Sequence, residues 1–147
     1  MTTALNYLTD SCTRPGHIAA AQQLHGPLRF TFRPALTSER SRLAEAAGEM
    51  NPEAFDAHAA GFLAGKLVRW DLHDDQGQPV GVSAEALLRL QPELFVKLYS
   101  VVLGATASDI DPEWGDAERE EHHAEVQLAE QTGRSIGEVR EEGDEKN

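Results

Sequence analysis

The sequence predicts a mainly α fold: a small helical domain with one or two short β strands and an acidic, partly disordered C-terminal extension. Three observations predict it. Apolar residues recur at three- and four-residue spacing through most of residues 37 to 103, which marks amphipathic helices. Leu28, Phe30 and Phe32 alternate with Arg29, Thr31 and Arg33, the two-residue period of a half-buried strand. From Asp111 onward thirteen acidic side chains face four basic ones, a net −9 of the chain's −12. Apolar residues thin out there, and one narrow stripe does not offset the entropy of ordering the segment.

A chain of 147 residues accommodates one domain with a real core. The expected organisation is a weakly patterned N-terminal segment, 1–27, a helical core domain, 28–112, and the acidic extension, 113–147. A sequence pI near 4.8 argues against nucleic acid, whose phosphates demand clustered Lys and Arg, and against an anionic membrane face. Cys12 is alone, so no internal disulfide framework is expected and a reducing compartment fits. The start of the chain has no signal-like apolar run, and nothing reaches the roughly 20 apolar residues of a membrane span. The expected location is the cytoplasm.

Gly26-Pro27 and Pro34 punctuate the strand at both ends. Thr37 or Ser38 suits an N-cap, and Leu43, Ala47 and Met50 make the stripe of the helix that follows. Asn51-Pro52 opens a second helix, with Asn as cap and Pro where a missing N–H costs nothing. Phe55, Ala59, Phe62, Leu63 and Leu67 form its apolar side. Ala57, Ala60, Gly61, Ala64 and Gly65 make part of its surface small, which ordinarily signals a close neighbour, since a helical glycine costs about 1 kcal/mol against alanine. Val68, Trp70 and Leu72, then Val80 and Val82 across the turn Asp74 to Gly77, suggest a short hairpin. Ser83 caps a short helix with Leu87, Leu88 and Leu90. Pro92 starts another, with Leu94, Phe95, Leu98, Tyr99, Val102 and Leu103 on a wide apolar face, Val96 and Val101 off it, and Gly104 as its stop. Val96 and Val101 imply a helix covered on most sides.

The residues that carry chemistry elsewhere have plain readings here. His122 and His123, with Glu118, Glu121 and Glu125, include metal-ligand spacings, but such spacings are common in an acidic helix, and a solvated face is the simpler reading. His73 with Asp71, Asp74 and Asp75 flanks a Gly-containing turn, where Asp caps its own backbone. Cys12 with His17 or His25 lacks the context of a thiol nucleophile. No catalytic, metal or cofactor residues are assigned. Arg29, Arg33, Arg40 and Arg42 form the one basic concentration: either a face partnered by the acidic tail in cis, or a docking patch for a carboxylate-bearing partner. Trp114 is either tucked back on the domain or an interface anchor.

Leu28-Arg-Phe-Thr-Phe-Arg-Pro34, Glu39-Arg40, Lys66-Leu67-Val68-Arg69-Trp70-Asp71-Leu72, Asp75-Gln76-Gly77-Gln78-Pro79-Val80, Leu90-Gln91-Pro92-Glu93-Leu94 and Lys97-Leu98 follow one another in an order that resembles the tail assembly chaperones of long-tailed bacteriophages and prophages. The resemblance covers roughly Leu28 to Pro112. It implies a non-enzymatic protein that coats the tape-measure protein, brings tail-tube subunits to it and is absent from the finished virion. It transfers no catalytic residues. From the chain's own pattern the candidate partner-binding residues are Trp70, Leu94, Phe95, Leu98, Tyr99 and Val102 as an apolar groove, in competition with a plain core, together with Arg29, Arg33 and Trp114. Self-association is compatible with this. An alternative is an acidic regulatory or antitoxin-like protein that neutralises a basic protein partner through its C-terminal segment.

Overall fold

The computed structural model of the chain describes residues 7–9, 11–124, 126 and 127. In chain order come β1 (Arg14–Ile18), β2 (Leu28–Phe32), α1 (Thr37–Glu49), α2 (Pro52–Lys66), β3 (Leu67–Trp70), α3 (Ala84–Leu88) and α4 (Pro92–Leu103). A further helical stretch occupies 116–124. The strands form one antiparallel sheet in the order β1-β2-β3. This corrects the mainly α expectation. The chain is α+β, because a sheet with β2 at its centre supplies one whole wall of the core.

The alternation in β2 does what its period implies. Leu28, Phe30 and Phe32 are buried on one face, while Arg29 and Thr31 stand half-buried on the other. On both edges β2 has a partner, with Phe30 opposite Gly16 of β1 and Trp70 of β3. β1 lies within residues 1–27, which the sequence pattern set apart from the core domain. Arg14-Pro15-Gly16-His17-Ile18 carries no strand signal, since Pro and Gly are both depleted in strands. The reason for Gly16 is long-range: a Cβ there would run into the Phe30 ring.

The hairpin expected between residues 68 and 82 forms only next to its turn, and its first arm has another main partner. β3 pairs with β2, so Val68 and Trp70 take their register from Phe30 and its neighbours. A short antiparallel pairing across the turn remains, His73 opposite Pro79, with Val80 N–H donating to Leu72 O at 2.9 Å and Asp74 N–H to Gln78 O at 2.9 Å. Asp74 Oδ1 accepts from Gln76 and Gln78 N–H, each at 2.9 Å.

The helix ends follow capping chemistry. Asn51 Oδ1 accepts from Ala54 N–H at 2.8 Å ahead of Pro52, and Ser83 Oγ accepts from Ala86 N–H at 3.0 Å. α1 begins one residue earlier than its hydroxyls suggest. Leu36 holds the cap position, and Glu39 reaches back to its N–H at 2.8 Å. The same carboxylate meets Lys66 Nζ at 2.5 Å, tying the start of α1 to the end of α2. Burial pushes the Glu39 carboxyl up, but the bonds from Lys66 and the Leu36 N–H outweigh it and its pKa lies below the usual range. Leu43 and Ala46 are the buried residues of α1, whereas Ala47 and Met50 of the expected stripe face solvent. α4 ends at Gly104, whose φ of +79° suits glycine best.

The core lies between the Phe30 face of the sheet and the helices. Ile18, Leu28, Phe30 and Phe32 pack there with Leu63 of α2, Leu87 of α3 and Leu98, Val101 and Val102 of α4. Among the described residues no helix is long and apolar enough to cross a membrane. The expected disorder of the acidic extension falls largely on residues 128–147, which lie outside the described residues. Gly16→Ala forces a methyl into the space of a buried ring, and overpacking of this kind costs about 1–3 kcal/mol. Urea denaturation is expected to show that loss; an unchanged midpoint rejects the account of Gly16.

Candidate partner-binding surface

α4 has more apolar surface than the core takes up. Successive helical residues step round the axis by about 100°, so Leu94, Leu98, Val101 and Val102 form one sector. All four are buried. Next to that sector come Phe95, Tyr99 and Leu103, each half-buried, and then Val96, which is 62% exposed. The expectation that both off-stripe valines are covered holds for Val101 and is corrected for Val96. A valine left in water forgoes the roughly 1.5–3 kcal/mol that full burial contributes. This apolar shoulder adjoins α2, where the Phe55 ring meets Tyr99 edge-on at 6.2 Å between centroids. Burial raises the Tyr99 phenol above its usual pKa, so the residue acts as a neutral wall of the shoulder.

Part of the small side of α2 has no neighbour among the described residues. Ala57, Gly61 and Gly65 follow at four-residue intervals, all three are exposed, and a Cβ built on either glycine meets nothing within 4 Å. The close neighbour that such residues ordinarily signal is present for Ala60, which is buried in the core, and for the half-buried Ala64 packed against it, and is not found among the described residues for Ala57, Gly61 and Gly65. The large residues of the same helix, Phe55 and Phe62, are half-buried at the border of that bare side, and Lys66 Nζ stands 5.9 Å from the Phe62 ring centre.

The remaining sequence candidates separate into three places. Leu94, Leu98 and Val102 are interior and give a partner no surface, while Phe95 and Tyr99 reach the shoulder. Trp70 is half-buried against the core, its indole N–H donating to Val80 O at 2.6 Å. Arg33 sits half-buried just past β2, its backbone N–H donating to Lys66 O at 2.8 Å. Arg29 and Trp114 lie on the opposite face of the sheet, where residues 108–114 return as a strap.

That strap is held by polar contacts. Asp109 N–H donates to His17 O at 2.8 Å, and Asp109 Oδ2 accepts from Ala19 N–H at 2.8 Å. The His17 ring bonds through Nδ1 to Ile110 O at 3.1 Å, and the buried His122 ring bonds through Nε2 to Ser108 O. Arg29 clamps Asp111 with Nε to Oδ2 at 2.6 Å and Nη2 to Oδ1 at 3.2 Å, and Glu113 stands 3.5 Å from the same guanidinium. The Asp111 side chain is only 3% exposed. Its hydrogen bonds to Arg29 outweigh burial and hold the carboxyl below the usual carboxylate range. Trp114 is half-buried with its ring 5.5 Å from that of His122. It borders an open cleft of about 290 Å³ with Pro15, Thr31, Arg29 and Arg69.

His122 and His123 diverge, the first buried against Ser108 and the second exposed and 3.2 Å from Gln127 Nε2. Among the described residues no three His, Cys, Asp or Glu side chains are placed to share a metal ion. The sequence pattern named Phe55, Val96 and Leu103 only as apolar positions and missed their role as shoulder. A wide apolar arc was legible, but which part of it the sheet covers depends on β1 and β2 together.

Comparison of the chain with family models, curated proteins and solved structures finds no match.

Two outcomes follow from this geometry. A depressed folded-state pKa makes the Asp111 contribution full above its ordinary value of 3.8 and lost as pH falls through the folded value. Asp111→Asn is expected to lower stability at pH 7 by about 1–2 kcal/mol, since solvent at Arg29 screens part of the pair. The gap to the parent chain then closes in acid, and a gap in urea midpoint unchanged between neutral and strongly acidic buffer rejects the ion pair as its source. Gly61→Ala, by contrast, is expected to stabilise the isolated chain by up to about 1 kcal/mol. Thermal unfolding that shows a loss instead means that the bare side of α2 has a contact within the chain.

Proposed function

We propose that the chain is a tail assembly chaperone of a long-tailed bacteriophage or prophage. In this reading it makes and breaks no bonds. It works in the cytoplasm of the host cell, shelters an amphipathic helix of the tape-measure protein, brings tail-tube subunits to it and stays out of the mature virion. The observation that carries the reading is Val96, exposed at 62% in the middle of an apolar helix and flanked by Phe95, Tyr99 and Leu103. An amphipathic helix lays its apolar stripe on such a surface at i, i+3, i+4 and i+7 positions. The bare side of α2 supports the same reading, since small residues let a second helix approach closely. The order of segments from Leu28 to Pro112, which resembles that family, supplies the choice of client.

The antitoxin-like alternative assigns the work to the acidic C-terminal segment. Glu113 of that segment, like Asp111 just before it, is engaged by Arg29 of the same chain, and no observation favours that alternative over the shoulder.

Co-expression with segments of a tape-measure protein tests the proposal. The parent chain is expected to keep amphipathic segments in the soluble fraction, whereas Val96→Asp, folded by circular dichroism, loses most of that effect. Segments that stay insoluble with the parent chain, or that Val96→Asp keeps equally soluble, remove the proposal.

A further inference from the structure

We infer that residues 108–124 form a latch, which leaves the sheet as one unit while the core stays folded. Its departure bares Arg29 and the outer edge of β1 for an extended acidic segment of a partner protein. The apolar core and the half-buried side chains packed on it come from residues 18 to 102, and among the described residues nothing from the strap joins them. What the strap buries is polar instead. The four buried polar side chains among the described residues, His17, Ser108, Asp111 and His122, all belong to this closure. Asp109 bonds to His17 O and Ala19 N–H and stands 3.6 Å from Lys97 Nζ, the His17 ring holds Ile110 O, and Arg29 holds Asp111. Bonds of this kind are exchanged for bonds to water when the strap leaves, so their net contribution is modest beside apolar burial. The unit is also folded on itself. Trp114 N–H donates to Asp111 O at 3.0 Å, Arg119 N–H donates to Gly115 O at 3.1 Å, and the His122 ring returns to Ser108 O beside the Trp114 ring. The end of α4 is closed without it, by Gly104 N–H on Val101 O and Ala105 N–H on Ser100 O, each at 3.0 Å.

The way the strap is seated defines what the bared site takes. The strap runs beside β1, which is an edge strand, and lends a backbone N–H to His17 O. It places two carboxylates two residues apart, one on Ala19 N–H at 2.8 Å and one on Arg29 through Nε at 2.6 Å and Nη2 at 3.2 Å. An extended segment with the same Asp-x-Asp spacing repeats each of these bonds, as a strand added to a sheet edge does, and the bidentate carboxylate fixes its register. Without the strap, Arg29 and Lys97 both lose their carboxylates. Asp71 and Arg69, which line the cleft beside Arg29, offset each other, so the bared site is cationic. A second copy of the chain would first have to open its own latch, and it brings a further net charge of −12. In the closed chain the tethered strap competes for its own site at an effective concentration on the order of millimolar, which makes the latch autoinhibitory.

Two measurements on the full chain test this. The Asp109 and Ala19 amides lie on the two sides of the closure, and residue-resolved hydrogen exchange is expected to show them opening together. Their exchange is expected to be about a hundredfold faster than that of the Asp71 and Arg33 amides, which donate to Arg29 O and Lys66 O. Asp111→Asn touches neither strap amide, yet is expected to speed both about tenfold. Asp109 and Ala19 amides as slow as those of Asp71 and Arg33, or an effect on one of the pair alone, overturn the latch. The partner is tested with a synthetic peptide of residues 106–114, its binding followed by fluorescence anisotropy. The Asp111→Asn chain, with its own strap weakened, is expected to bind this peptide about tenfold tighter than the parent chain does. Adding Arg29→Gln to that chain, or Asp109→Asn and Asp111→Asn to the peptide, is expected to abolish binding. A peptide that binds neither chain, binds both alike or ignores Arg29→Gln overturns the acidic partner. Parent chains that sediment as strap-exchanged dimers assign the site to a second copy and overturn the partner protein.

Discussion

The structure depends on the two-sidedness of β2. Five residues, Leu28–Phe32, serve two layers at once: three of them wall the core, while Arg29 anchors the strap beyond. Because side chains alternate strictly, a one-residue slip in register would send Arg29 into the core and Phe30 to the strap. Partners on both edges prevent that slip. Opposite Phe30 there is no room for a Cβ, so that place in β1 takes Gly16, and β3 enters directly from the last residue of α2. The helices are then placed by what the Phe30 face needs covered, and Ala35 N–H closes the layer on Val102 O at 3.2 Å.

Much of this was legible residue by residue and little of it pair by pair. The caps at Asn51 and Ser83, the stop at Gly104 and the strand at Leu28–Phe32 are local features, written in side-chain chemistry at fixed offsets. β1 was not legible, because Pro15 and Gly16 contradict strand propensity and only Phe30, fourteen residues away from Gly16, explains why a glycine is needed. The alternation of Val68, Trp70 and Leu72 was read as strand, but a period does not name its partner. The nearest apolar run does come back beside it, with Val80 N–H on Leu72 O and His73 opposite Pro79, but the main ladder belongs to β2. Counting both strands as minor additions to a helical domain followed from the same limit, and so did the mainly α expectation.

The two faces of the sheet are closed by different forces. On the Phe30 side closure is apolar, with Leu63, Leu87 and Leu98 fully withdrawn from water. On the Arg29 side it is polar: the strap leaves Ile110 57% exposed and relies on Asp109, Asp111, His17 and His122. The acidic residues at the head of the C-terminal segment thus have a structural use in cis. The sequence held this as one of two readings of Arg29, and the choice between them required the distance to Asp111.

Val96 and Gly61 belong to neither closure. One exposes apolar surface where a polar residue would serve an isolated chain as well, and the other gives up about 1 kcal/mol of helix propensity with no neighbour among the described residues to justify it. Two such departures on helices that touch through Phe55 and Tyr99 are hard to account for by folding, which gains from neither. They make sense if the surface is selected for a contact outside the chain.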